Sequence, residues 1–415
     1  MAKGIGGGSG GGIKAIFGTN KDDVLKGDHN DGDTIYGLGG NDTIKALNGI
    51  DFLYGGDGND RIFANGGNDW LIGGLGNDYL DGGAGIDTAA YADVSGAVTV
   101  DLAFTTAQNT GSDGIDTLVS IENLISGAFN DTLLGNALAN VLSGQDGDDA
   151  LAGREGDDTL NGGNGNDILS GGSGNDLIVA DESGPAGNDL IDGGAGIDTL
   201  DYTWISGAAG VSLDLRLTMT QNTGGAGFDT VSNVENIIGS ARNDILNGSD
   251  LANNLNGGAG NDSLAGNGGD DVLNGFTGSD NIFGGAGNDI IDGGMTGLFG
   301  EMDMLSGGAG ADRFLFANAG YSLAGSNDQV MDFSSLEGDK LDVHGVFAPG
   351  TAASFIGAGA FTGVAGQVQV ITSFTEFGLP DVNQFVRIDV DGNGVADFSL
   401  FVTSNALLTA SDFIF

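Results

Sequence analysis

Aspartate recurs at nine-residue steps over most of this chain: Asp33, Asp42, Asp51, Asp60, Asp69, Asp78 and Asp87 form a first run. A second run holds Asp131, Asp149, Asp158, Asp167 and Asp176, with Asn140 in the missing step, and closes after an insertion with Asp189 and Asp198. A third holds Asp244, Asp262, Asp271, Asp280 and Asp289, with Asn253 in its gap, and closes with Asp303 and Asp312. Two positions after the aspartates stands one large apolar residue, for example Ile35, Ile44, Leu53, Leu160, Leu169 and Ile282, with the smaller Ala89 after Asp87. Each unit is therefore a glycine-rich turn, an aspartate, and about three residues of strand with one inward side chain. Strands this short are unstable alone. Stacking repeated units gives each strand neighbours and buries a continuous Leu/Ile core.

Composition sharpens what holds such a stack together. The 415 residues include 82 Gly, 3 Pro and no Cys, and 58 Asp and Glu stand against 12 Lys and Arg, a formal charge of −46. Gly-rich, highly charged chains are often disordered. Here 40% of residues are hydrophobic and the charge is periodic, so folding is expected once a counter-cation offsets self-repulsion. The acidity argues against nucleic acid and anionic lipid as partners. No apolar run reaches the length of a membrane span. The opening MAKGIGGGSGGGIKAIFG has no apolar h-region, so export without an N-terminal signal peptide is the expectation. Disulfides cannot staple the fold.

The best copies, GGDGNDRIF (Gly55 to Phe63) and GGLGNDYLD (Gly73 to Asp81), match the nonapeptide GGxGxDxUx, with U a large apolar residue. Over residues 18–316, with two interruptions, the chain resembles the RTX (repeats-in-toxin) family. That resemblance implies an all-β fold, a parallel β-roll with two nonapeptides per coil, one on each side. Asp33, Asp51, Asp69 and Asp87 would then line one edge, and Asp42, Asp60 and Asp78 the other. It also implies Ca²⁺ sandwiched between successive turns of one edge, with the aspartates of all three runs as the metal residues.

The chemistry is consistent. Ca²⁺ takes six to eight oxygens with tolerant geometry, and glycine turns can direct carbonyls inward. Zn²⁺ is a poor alternative without Cys and with only His29 and His344. The competing reading is that Asp and Asn merely shape metal-free turns through side-chain to backbone bonds. Against it, a metal-free stack would place like charges in register. Sites beside Asn140 and Asn253 should be weak, and ALNGIDFLY (Ala46 to Tyr54) lacks the leading glycines.

Two related stretches interrupt the repeats, one from Tyr91 and one from Tyr202, each carrying an alternating strand (VTVDL, VSLDL) and a Gln-Asn loop at Gln108–Asn109 and Gln221–Asn222. They read as strand-rich spacers that continue the roll. From about Ala317 the repeat gives way to Phe-rich strands and turns. GGAGADRFLF and VMDF…GDKLDV resemble the C-terminal domain of serralysin-type metalloproteases, which implies a cap on the roll and a C-terminal signal for the type I secretion apparatus. The chain ends in Asp412-Phe413-Ile414-Phe415, as such signals do. Asp389, Asp391, Asn393 and Asp397 echo half an EF-hand, but Leu400 stands where the twelfth-position Glu belongs, so a hairpin turn is the expectation.

The expected organisation is a Gly-rich tail (1–17), three roll blocks (18–91, 127–202, 240–316), two inserts (92–126, 203–239) and a capping and secretion domain (317–415). No catalytic residues are identified. Neither histidine begins HExxH, and Gly7 to Gly11 meets the G-x-S-x-G pattern only inside a glycine tract. The paired carboxylates belong to the repeat. Thr34, Thr43, Thr132 and Thr159 do not make the unbroken Thr row that ice binding needs. The expectation is a secreted bacterial calcium-binding protein at the cell surface. It would self-associate in a surface layer or matrix or adhere, for instance to a cell-surface glycan. The alternatives are an accessory module of a secreted protease or lipase system, or a soluble effector.

Overall fold

The computed structural model describes residues 14–27, 32–181, 187–205, 207–294, 301–317, 328–372 and 382–415. His29 and residues 1–13 of the expected tail lie outside the described residues. The chain forms two compact units, Met1–Leu200 with Phe228–Val234, and Asp201–Gly227 with Glu235–Phe415. Both are all-β; among the described residues the helical elements are two single 3₁₀ turns, His344–Val346 and Ala410–Asp412.

In the first unit, alternate repeats add strands to opposite sides. One side is a parallel run from Lys14–Phe17 through Asp33–Gly39, Phe52–Asp57, Trp70–Leu75 and Thr88–Ala90 to Asn123–Ile125, and on to Leu177–Asp181. Its register stacks Ile35, Leu53, Leu71, Ala89, Leu124, Leu142, Leu160 and Ile178 in one column. Every member is 0% exposed, Ala89 included. The opposite side is two parallel sheets, one ending on Ile115–Val119 and the next starting at Thr99–Asp101.

The first insert makes that break. Its strand Thr99–Asp101 reaches forward to pair with Thr132–Leu134. The chain then turns back through Gln108–Asn109, and Ile115–Val119 adds to the strand Tyr79–Asp81 of the preceding repeats. Asn123–Ile125 continues the other side without interruption. The insert therefore adds strands to both sides of the roll. The Gln-Asn loop is a hairpin pinned by Gln108, which accepts from the Asp101 N–H (2.8 Å) and donates to the Asp101 carbonyl (3.0 Å).

The second unit repeats the pattern. One side stacks Ile237, Leu255, Leu273, Ile291, Phe314, Leu341 and Phe413. The other stacks Leu213, Leu246, Leu264, Ile282, Leu305, Val330 and Val402. The C-terminal region thus continues both columns: Asp328–Phe333 and Lys340–Asp342 are further strands of the roll, which goes on past Phe316. An antiparallel meander, Gln367–Thr372, Val382–Asp389 and Phe398–Ser404, then ends one side. Aromatic residues join the core towards the end: Phe314, Phe333 and Phe398 are fully buried.

Because the columns are one side chain wide, a cavity in them has nothing to collapse onto. Leu160→Ala should lower stability by about 2–5 kcal/mol, whereas Ile168→Ala at a position 53% exposed should change it by less than about 0.5 kcal/mol. Urea midpoints measured in calcium check this pair.

Candidate metal centre

One turn illustrates the geometry. In Gly55-Gly56-Asp57-Gly58-Asn59-Asp60 the backbone is left-handed at Gly56 (φ 110°) and Gly58 (φ 130°). Asp60 is 1% exposed. Its Oδ1 accepts the N–H of Asp42 from the preceding coil at 2.7 Å. Its Oδ2 is buried and has no hydrogen-bond partner. A Cβ added at Gly55 would collide with both that Oδ2 and the carbonyl oxygen of Gly73 in the next coil, so two oxygens flank one small space. A Cβ at Gly58 would strike the carbonyl oxygen of Gly40. The turn is a cradle of oxygens with no donor, which burial makes costly unless a cation or a proton enters.

The arrangement recurs. Buried Oδ2 atoms without a hydrogen bond occur at Asp42, Asp51, Asp60, Asp69, Asp78, Asp87, Asp149, Asp158, Asp167, Asp176, Asp262, Asp271, Asp280, Asp289 and Asp312. The Oδ1 atoms are tied into two ladders. Asp33, Asp51 and Asp69 donate their N–H groups to the Oδ1 of Asp51, Asp69 and Asp87 at 2.6–2.9 Å. Asp42 and Asp60 donate to Asp60 and Asp78 at 2.7 Å. These are the two edges that the nine-residue step implies. Asp189, Asp198 and Asp303 take the same place, accepting from Asp167, Asp176 and Asp280. Asp51 keeps the pattern although its turn has only Gly49 left-handed (φ 114°).

Burial raises these acids. Desolvation, with neighbouring aspartates adding repulsion, pushes Asp60 and Asp69 up to about 6, Asp149 and Asp262 to about 7, and Asp78 to about 8. Asp303 rises to about 9, where Asp328 reinforces the desolvation.

A second kind of turn satisfies itself. Asp131 Oδ2 accepts the N–H of Gly127 (3.3 Å), and Asp244 Oδ2 accepts that of Ser240 (2.6 Å). Asn140 and Asn253 go further. Their Oδ1 atoms accept from Asn136 and Ser249, and their amides donate to the carbonyls of Glu122 and Glu235, both at 2.7 Å. None of these four turns has a left-handed residue. The Asn amide supplies the donor that a cation would otherwise replace. Asp131 and Asp244, which the spacing groups with the other metal residues, are thereby set apart from them.

The ladders also contain acids that the nine-residue step misses. Asp116 accepts from Asp78, Glu122 from Asp87, Asp229 from Asp189, Asp328 from Asp303 and Asp339 from Asp312. Their signal is the apolar residue two positions on: Leu118, Leu124, Val231, Val330 and Leu341. Asp116 Oδ2 is held by the hydroxyls of Thr110 (2.9 Å) and Tyr91 (3.3 Å), and Asp339 Oδ2 by the Ser334 N–H (2.7 Å). The loop after Val382–Asp389 is a hairpin connection, as its spacing suggests. Asp389, Asp391 and Asp397 offer oxygens within 4.8 Å of one another, but Asp389 already accepts from Gly392, Asn393 and Gly394.

Without metal, the raised acids make the folded state hold protons that the unfolded chain releases above about 4. Stability in chelator should therefore rise as pH falls from 8 through 6–7 towards 5, read as recovery of β signal in far-UV circular dichroism. At fixed calcium the order reverses, because protons compete for the same oxygens. Two substitutions separate the turn types. Asp60→Asn should remove bound calcium, measured by equilibrium dialysis. Asn140→Asp should add none and should cost about 1–3 kcal/mol by leaving the Glu122 carbonyl without its donor.

Two known families match the chain. The RTX calcium-binding nonapeptide repeat (4 copies) matches residues 29–62, 54–89, 125–160, 143–178 and 183–201. The peptidase M10 serralysin C-terminal family matches residues 209–415. Among solved structures, the AlgE6R3 subunit of the Azotobacter vinelandii mannuronan C5-epimerase is 21% identical, covering 41% of this chain and 78% of that one, with a TM-score of 0.25. The extracellular lipase LipA of Serratia marcescens is 16% identical, covering 69% of this chain and 40% of that one, with a TM-score of 0.17. No curated protein sequence matches.

Proposed function

Taking as premise that this is an RTX calcium-binding repeat protein with a serralysin-type C-terminal region, we propose that it is secreted, folds on meeting extracellular calcium, and serves as a structural protein of the cell surface or matrix. The observation that carries the first part is the series of buried, donorless Oδ2 atoms. The residues that would hold Ca²⁺ are those aspartates, with the carbonyls of the flanking glycines; bound calcium supplies the positive charge that the cradles lack. Binding energy is then folding energy. Where calcium is scarce, the charge of −46 keeps the chain extended and fit for export through a type I apparatus.

The second part rests on what the chain invests in. Both units are occupied by roll and C-terminal strands, and neither family match covers a catalytic domain. Exposed apolar residues stand at Ile168 and Leu190 on adjacent strands of one side of the first unit, a surface suited to self-association. The serralysin match favours one other reading, a non-catalytic partner of a secreted hydrolase.

Addition of millimolar calcium to chelated protein should convert a disordered circular dichroism spectrum to a β spectrum. Light scattering and electron microscopy should then show ordered assemblies. An unchanged spectrum would contradict calcium-coupled folding, and a monomer at all concentrations would contradict the structural role.

A further inference from the structure

The first insert borders a half-open pocket of about 270 Å³ in the first unit, between the outer face of the strands Phe52–Asp57 and Trp70–Leu75 and the chain just after Tyr91. Asp113 lines it and is only 5% exposed. Its backbone carbonyl accepts the Gly76 N–H (2.8 Å), and among the described residues no donor or cation engages its carboxylate. Asp57 and Asp93, both exposed, stand at the same pocket, and Tyr54 and Tyr91 are among its lining residues. Three aspartates thus line a pocket whose other residues are aromatic, aliphatic or glycine, and Asp113 is the buried one.

The fold does not require these acids. The second insert carries the same supports: Tyr202 for Tyr91, Thr223 for Thr110 and Asp229 for Asp116, all 0% exposed. Two residues after that tyrosine it has Trp204 where the first has Asp93. Three residues before that aspartate it has Ala226 where the first has Asp113. Nor does Asp113 belong to the calcium ladder. It stands next to Leu75 across the Gly76–Gly114 bridge, and Leu75 pairs with Asp57, so its column is the variable third position of the turn.

We propose that this cavity binds an organic cation: an ammonium or guanidinium group on a short hydrocarbon stem, with the charge at Asp113. A buried unpaired carboxylate is costly and calls for a charged donor. Tyrosine faces attract cations, and Ile72 and Val94 suit a stem. Calcium fits poorly, since it needs six to eight oxygens and these walls are largely carbon. The cation can be a free small amine or an Arg or Lys side chain of another protein.

Isothermal titration of the full chain in millimolar calcium distinguishes these cases. Agmatine should bind saturably at one site per chain, and 1-pentanol, which has a stem and no charge, should not. Asp113→Ala, the residue found at the second insert, should weaken agmatine at least tenfold while the β spectrum and the number of bound calcium ions stay the same. Val94→Trp, which fills the space and keeps Asp113, should also abolish binding. An acetylated and amidated Gly-Arg-Gly peptide that binds more tightly than agmatine would identify a protein side chain as the source; weaker binding would identify a free amine. Equal agmatine affinity in Asp113→Ala, no agmatine binding at all, or loss of one calcium in Asp113→Ala would each overturn the proposal. The last result would make Asp113 a metal ligand and leave calcium-coupled folding intact.

Discussion

A carboxylate with one oxygen tied to the backbone and the other buried against carbonyls is the unit on which this architecture rests. The tied oxygen sets register. Each aspartate accepts the N–H of the aspartate one coil earlier, as Asp60 does from Asp42 and Asp280 from Asp262, so the ladder of side chains runs beside the ladder of strands. The other oxygen creates a demand that protein groups do not meet. Repeating that demand along both edges couples the stack to its solvent: protons or calcium must arrive before the coils can close.

Glycine decides which turns make the demand. Where the chain turns through left-handed residues two and four positions before the aspartate, carbonyls stack towards the next coil and the Oδ2 is left alone. The position two before tolerates no side chain, as the collision of a Gly58 Cβ with Gly40 shows. The position four before is more permissive: Leu38 (φ 81°), Arg154 (φ 83°) and Phe276 (φ 71°) occupy it. Where left-handed residues are missing, as before Asp131, Asn140, Asp244 and Asn253, the turn folds back and its own N–H reaches the side chain. Turns that leave a carboxylate oxygen without a donor and turns that satisfy themselves therefore occur in each unit.

Much of this was legible in the sequence, because the nine-residue step fixes which side chains stack and the alternation fixes the edges. The inserts were less so. Between Asp116 and Glu122 the step shortens to six residues, which breaks the count although the apolar residue two positions on, Leu118 or Leu124, is kept. The same signal marks Asp328 and Asp339, which carry the roll beyond Phe316. Asp131 and Asp244 show the opposite limit: their spacing is regular, but whether an oxygen is left without a donor depends on backbone dihedrals. The Asp113 cavity arises from a chain reversal that no periodicity encodes.

Anomalous X-ray scattering from crystals grown in calcium tests the central claim most directly, because it counts and places the ions. Peaks are expected between successive turns at the donorless aspartates, Asp60, Asp69, Asp158 and Asp271 among them, and none within coordination distance of Asn140 or Asn253. Peaks at those two asparagines, or cradles that stay empty beside Asp60 and Asp69 in saturating calcium, would contradict that claim.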